Sequence, residues 1–485
     1  MVKDYKMNGT EPARRSTLSD RIDRVFTAQQ NNKHLIANTG AGERIAKLNR
    51  VLDWLHSNSD RIKQALANDF SKPASEVDLT EIWLATSEIK HAIRHLKKWL
   101  RPKPVSPTLP TITTRAWIQY EPRGVVMIIS PWNYPFNLTI GPLASALAAG
   151  NCIFIKPSEL TPASSRLMGE MVETLFPENE VALFEGEKEV AVELLKKPFD
   201  HIFFTGSPET GKKVMRAAAE HLTSVTLELG GKSPTIIDET AHLTDAARKI
   251  IWGKFLNCGQ TCIAPDYLLV HESIENALIE ALKREIKRAF GDEEADRKTS
   301  PDYARLVNGH HFQRLNDLLE EAVERGAKIE IGGDRDEKDR YLSPTILSHV
   351  DAETRIMNEE IFGPLLPVIP YRSLDEVFNI INARPKPLAL YIFSNNKRDT
   401  QRILANTTSG GSCINEVAFQ YSHLNLPFGG VNNSGIGNAH GFYGFKAFSH
   451  ERAILKHSRF SPLKLIFPPY TRMVKKLIKF VTRYF

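Results

Sequence analysis

The chain has 485 residues, 42% hydrophobic and 25% charged, the balance of a soluble globular protein too long for a single core. Four scattered cysteines exclude a secreted disulfide framework, and no run of about 18 apolar residues offers a membrane span. The net charge of +6 excludes less than it suggests. His457–Phe485 carries seven basic residues and no acidic one, and setting those seven against +6 leaves the rest of the chain at −1. No nucleic-acid partner is therefore expected. The opening "MVKDYKMNGTEPARR" lacks a signal peptide's apolar core, so the expected compartment is the reducing cytoplasm.

In chain order, the polar first thirty residues carry no assignable role. Residues 43–69 place Ile45, Leu48, Val51, Leu52, Leu55, Ile62 and Leu66 at helical spacing, and "SEIKHAIRHLKKWLRP" continues that style up to Pro102. The Thr-, Pro- and aromatic-rich text from Pro104 to Pro122 predicts an edge hairpin. From Gly124, five short apolar runs alternate with four helix-length segments: "VVMII" (125–129), "CIFI" (152–155), "VALFE" (181–185), "HIFF" (201–204) and "VTLEL" (225–229). That alternation predicts βαβ units and an α/β fold with a doubly wound parallel sheet. A second α/β region follows, with strands suggested by "YLLV" (267–270), "KIEIGG" (328–333), "LPVIPY" (366–371) and "LALYIFS" (388–394).

Such sheets bind ligands at the carboxyl ends of their strands, and there the unusual polar clusters fall. In "FFTGSPETGKKV", Gly206 ends a strand, Ser207 caps the next helix and Gly211 lies in its first turns, a geometry suited to a pyrophosphate. A tight strand-to-helix turn is the plainer alternative. "IKPSE" sets Lys156 and Glu159 where an adenosine ribose would lie, or in a surface turn with a salt bridge.

"NCGQTCIAP" (257–265) holds two cysteines. A zinc site lacks two further ligands, so no metal is expected, and C-x-x-x-C is not the usual redox spacing. Buried, inert thiols are expected for Cys152, Cys258 and Cys413. Cys262 instead reads as a nucleophile on a loop between a helix and a strand. Glu228 in "LELGGK" offers a base, its two glycines keeping side chains out of the way, and Asn133 in "PWNYP" offers an amide donor.

Taken together, "NCGQTC", "LELGGKSP", "SPWNYPF", "KPSE", "FFTGS" and "EEIFGP" resemble the aldehyde dehydrogenase superfamily over residues 121–444; the short N-terminal part and the "FPPY" tail resemble its class 3 branch of fatty, aromatic and coniferyl-type enzymes. The resemblance implies a Rossmann-like NAD(P)-binding domain (1–103 and 123–229), a catalytic domain (230–444), an oligomerisation arm (104–122 and 445–456) and a basic tail (457–485). It implies Cys262 as nucleophile, Glu228 as base and Asn133 as oxyanion donor. Trp132, Lys156, Glu159, Gly206, Ser207, Gly211, Glu360 and Phe362 would hold NAD, with NADP also admissible. Tyr134, Trp252 and Phe419 would line a substrate funnel, with plain core packing the alternative for the last two. The implied reaction oxidises a medium- or long-chain aliphatic or aromatic aldehyde to its acid through a thiohemiacetal and a thioester. An acyl-transferring or reductive relative, and a catalytically silent protein on the same fold, stay open. A homodimer is implied.

In the tail, Met473, Val474, Leu477, Ile478, Val481, Tyr484 and Phe485 form one helical face and Lys475, Lys476, Lys479 and Arg483 the other. The resemblance implies a helix over the substrate entrance. The pattern equally suits peripheral docking on the anionic inner membrane surface.

Overall fold

The computed structural model describes residues 17–108, 111–457, 464 and 466–484. Phe485, assigned above to the apolar face of the tail, lies outside the described residues.

The five apolar runs from Val125 onward form a parallel sheet. Its order across the molecule is Ser224–Glu228, His201–Thr205, Val125–Ile129, Cys152–Lys156 and Val181–Leu183, with the short antiparallel strand Gly435–Ile436 on the edge beside Ser224–Glu228. Strand order therefore reverses between Val125–Ile129 and His201–Thr205. Their carboxyl ends open a crevice, the position at which doubly wound sheets bind ligands. Alternation explains the unbroken apolar text. Val126 and Ile128 pack toward the helices Ala41–Ser57 and Trp83–Trp99, whereas Val125, Met127 and Ile129 pack on the opposite face. That opposite face is covered partly by a helix the sequence pattern left unassigned, Leu18–Ala37, through Ile22, Val25 and Ile36.

The second region is a seven-stranded sheet in the order Lys328–Ile331, Thr345–Ser348, Leu365–Tyr371, Tyr267–His271, Pro234–Ile237, Ala389–Phe393 and Gly411–Ile414, parallel except at its first strand. Three of these escaped the sequence reading. Pro234–Ile237 and Thr345–Ser348 are four residues long, and Gly411–Ile414 is an edge strand with only one apolar residue besides its cysteine. "KIEIGG" is strand only to Ile331. The helical text of residues 43–69 is two helices, Ala41–Ser57 and Ser59–Phe70, separated at Asn58.

A third sheet pairs Lys103–Val105 with Thr114–Pro122, and Thr114–Pro122 with Ser449–His457 along nine residues. Residues 445–447, assigned above to this arm, instead end the helix Gly441–Ala447, where Phe445 is buried against the N-terminal helices. The tail helix Arg472–Tyr484 buries no residue, and no helix among the described residues is long and apolar enough to cross a membrane.

Candidate active site

The helix Leu243–Phe255 stops one turn before the cysteines. Asn257, Cys258 and Gly259 then take positive φ in succession (55°, 55° and 75°), a left-handed run costing about 1–2 kcal/mol for each non-glycine residue. Side chains hold it. The Asn257 amide donates to the Asn133 carbonyl at 2.9 Å, and its backbone N–H donates to Glu76 Oε2 at 2.9 Å. Gln260 donates to the carbonyls of Asn257 and Arg305, both at 3.0 Å, and accepts from the Val307 N–H at 3.0 Å. At Gly259 a β-carbon would collide with the Gly363 carbonyl, so glycine is required there.

This loop separates its two cysteines. Cys258 is fully buried, its sulfur donating toward the Tyr303 hydroxyl at 3.5 Å. Cys262 is half-buried and lines three cavities at once. The first is an apolar funnel of about 790 Å3, with Leu79, Trp83, Tyr134, Trp252, Phe419 and Tyr421 on its walls. Trp252 and Phe419 are 37% and 53% exposed and their rings lie 5.7 Å apart, so neither is core packing. The Tyr134 hydroxyl meets Thr261 Oγ1 at 2.5 Å, tying the funnel wall to the cysteine loop.

The second cavity is a polar cleft of about 1430 Å3 at the strand-order reversal. Lys156 and Glu159 lie on its wall, paired at 2.8 Å. Gly206 and Ser207 follow at the start of the helix Pro208–Ala219, where Ser207 Oγ accepts the Thr210 N–H at 3.3 Å. A β-carbon at Gly206 would lie 2.6 Å from the Phe204 ring. Trp132 and Phe362 also line it, edge to face with rings 5.3 Å apart, as does Glu360. His311 and Arg314, from the helix Gly309–Glu324, also line this cleft; nothing in their local sequence marks them.

Three expectations change. Gly211 does not line the cleft: it is buried, and a β-carbon there would lie 2.8 Å from Leu229, so it lets helix and strand pack closely. The glycines after Glu228 make room for other groups: a side chain on Gly230 would strike the Glu360 carboxylate, and one on Gly231 would press on the Pro387–Leu388 backbone. Cys413 also departs from the inert, buried picture; it is half-buried and donates to Gln420 Oε1 at 2.8 Å.

Glu228 and Asn133 are brought to the same sulfur-lined cleft. Asn133 is buried and donates one amide hydrogen to the Gln260 carbonyl at 3.0 Å; the NH2 group has a second to give. Both Glu228 carboxylate oxygens are buried without a hydrogen-bond partner among the described residues, and burial raises this carboxyl well above the usual range. The Cys262 thiol is pushed up to about 12, first by burial and then by the Glu360 and Glu228 carboxylates. Glu360 itself is raised to about 8, by burial and then by Asp266.

The half-buried Cys262 sulfur thus stands between an apolar funnel and a larger cleft. Residues 13–454 match the model of the aldehyde dehydrogenase family. The chain belongs to that family. This aldehyde dehydrogenase is 44% identical over 428 residues to aldehyde dehydrogenase family 3 member A2 of Pongo abelii, covering 88% of this chain and 87% of the relative. It is 43% identical over 438 residues to the 4,4'-diaponeurosporen-aldehyde dehydrogenase of Staphylococcus aureus, covering 90% and 94%. The substrate-bound structure of Staphylococcus aureus AldH superposes with a TM-score of 0.90 at 41% identity, covering 95% of this chain and 99% of the other. The protein is thus an oxidoreductase of the class 3 type, oxidising an aldehyde with NAD(P).

Proposed function

We propose that Cys262 is the nucleophile, Glu228 the base and Asn133 an oxyanion donor in the oxidation of an apolar aliphatic or aromatic aldehyde to the free acid. The observation that carries this is the position of Cys262 at the meeting point of the apolar funnel and the polar cleft, while Cys258 is sealed in the core. The cleft fits a nicotinamide dinucleotide: a helix N-terminus and glycine turn at Gly206 and Ser207 suit a pyrophosphate, and the Lys156–Glu159 pair suits a ribose. Glu360, Phe362 and Trp132 would hold the nicotinamide end. When bound, the nicotinamide supplies the hydride acceptor.

The remaining work falls to the chain's own groups. The Cys262 thiolate adds to the carbonyl carbon, and the second Asn133 amide hydrogen with the Cys262 backbone N–H stabilises the oxyanion, each donor contributing about 3–4 kcal/mol in a dry site. Loss of hydride leaves an acyl thioester on Cys262. Glu228, raised by burial, is a base strong enough to take a proton from water that attacks the thioester. Having this glutamate favours release of free acid over acyl transfer. The funnel walls admit the alkyl or aromatic body and exclude water from the sulfur. The test compares Cys262→Ser with Cys258→Ser: NADH formation should fall about ten-thousand-fold in the first and persist in the second. The reverse pattern would remove the assignment.

A second reading concerns assembly and location. The arm sheet leaves Val105 and Leu455 exposed, which suits pairing with a second copy in a homodimer. In the tail helix, Met473, Leu477, Phe480 and Tyr484 form an exposed apolar stripe opposite Lys475, Lys476, Lys479 and Arg483, and among the described residues no tail residue lines the funnel of this chain. This favours peripheral contact with an anionic membrane surface, at about 1 kcal/mol per basic residue. Liposome co-sedimentation with and without residues 460–485 decides it; equal sedimentation ends the idea.

A further inference from the structure

The third cavity lined by Cys262 offers about 40 Å3 to water, room for one or two molecules at about 30 Å3 each. Glu228 and Cys262 lie on its wall, and so do Tyr421, Glu88 and His440. Glu88 and His440 form a pair that the reaction described above does not use. Glu88 Oε2 and His440 Nδ1 are 3.2 Å apart, with the two side chains 5% and 11% exposed, so the pair lies between the interior and the surface. The other Glu88 oxygen accepts the Gly441 N–H at 2.6 Å. His440 is held at φ 70° and ψ 137°, a conformation rarely adopted by a residue with a side chain. The Tyr421 ring stands edge-on to the imidazole at 4.4 Å. Its oxygen accepts the Asn137 amide at 2.9 Å and keeps its own proton to donate.

Each turnover poses a disposal problem. Glu228 must shed the proton it takes from water before it can act again, yet neither of its oxygens has a hydrogen-bond partner among the described residues. We propose that this cavity is the proton exit of the hydrolytic step, leading from Glu228 through water to the Glu88–His440 pair and from His440 to solvent. The inference rests on the roles proposed above for Cys262 and Glu228. Water oxygen bonds to the acyl carbon as one water proton passes to Glu228. The carbon–sulfur bond breaks and its electron pair returns to Cys262. The Glu228 carboxyl then gives its proton to cavity water, and one proton leaves from His440. Glu88 fixes the imidazole through Nδ1, so Nε2 is the atom that takes and releases the proton. Glu88 and His440 are positioning and relay groups; neither touches the acyl carbon.

The rival explanation is that the pair only secures the turn before Gly441–Ala447. Two conservative variants separate the readings. Glu88→Gln retains an acceptor for the Gly441 N–H, and His440→Asn retains a residue type that tolerates positive φ. The full-length enzyme is mixed with p-nitrophenyl acetate, which can acylate Cys262 without coenzyme. Nitrophenolate release reports acylation, and rapid-quench mass spectrometry follows the acetyl group on Cys262. Both variants should acylate within about twofold of the parent while the acetyl-enzyme persists about 10- to 100-fold longer, and added imidazole should shorten that lifetime in His440→Asn. Unchanged lifetimes, equal slowing of both phases, or failure of imidazole to act would overturn the proton exit while leaving the Cys262 assignment intact. An acetyl group absent from Cys262 in the parent would instead remove the underlying assignment, and the exit with it.

Discussion

The two sides of Cys262 are built on different plans. The polar cleft is made at strand ends: Trp132, Lys156, Glu159, Gly206 and Ser207 each follow directly on a buried strand or terminate it. The apolar funnel draws Leu79 and Trp83 from an N-terminal helical segment, Tyr134 from a strand-end loop, Trp252 from the helix before the cysteine loop and Phe419 from a turn near the C-terminus. Its wall also includes the π-helical turn Asp78–Ile82, a geometry frequent at functional sites. Backbone geometry shared by many proteins thus makes the cleft, whereas side chains brought together from distant segments make the funnel. Changes near the cleft should alter the chemical step; changes in the funnel should alter which aldehyde is held.

The sharpest way to break that division is Asn133→Ala. Removing the donor should lower kcat by about 100- to 1000-fold, with a similar loss for short and long aldehydes. Length-dependent loss in steady-state assays would mean that Asn133 acts through the funnel. On the funnel side, Trp252→Ala or Phe419→Ala should lower kcat/KM for long-chain or aromatic aldehydes by about tenfold, chiefly through KM, and leave propanal within about twofold. An equal loss with propanal would place these rings in the chemistry.

The smallest effect concerns charge. Raised groups keep their protons until the pH is higher, and the roles proposed for Cys262 and Glu228 require the deprotonated forms. The value of kcat/KM should therefore rise without a plateau between about pH 7 and about pH 9. Because the Glu360 carboxylate helps push the thiol up, Glu360→Gln should move this rise toward lower pH. A profile that stays in place, followed by NADH absorbance, would sever the electrostatic link between cleft and sulfur.

Much of the first sheet was legible because a strand buried on both faces leaves a continuous apolar run, as in Val125–Ile129 and Cys152–Lys156. Pro234–Ile237 and Gly411–Ile414 left weaker traces, being short and beginning at proline or glycine. The motif residues around Cys262, Glu228 and Asn133 were legible through type and order. Gly211 misled because a glycine early in a helix reads alike whether a ligand or a leucine lies against it; the nearby Leu229 decides. Arg314, His311 and the Glu88–His440 pair left no local trace, since their significance comes from what stands across a cavity.

The sequence by itself determined the alternating α/β architecture, the family and the residues whose chemistry suits aldehyde oxidation, because burial periodicity and turn residues are written locally along the chain. Only the tertiary structure decided which cysteine faces the cavities, which aromatic rings enclose the funnel, and that a carboxylate–imidazole pair shares a cavity with Glu228. Those facts depend on contacts between segments up to hundreds of residues apart, and no local pattern records them.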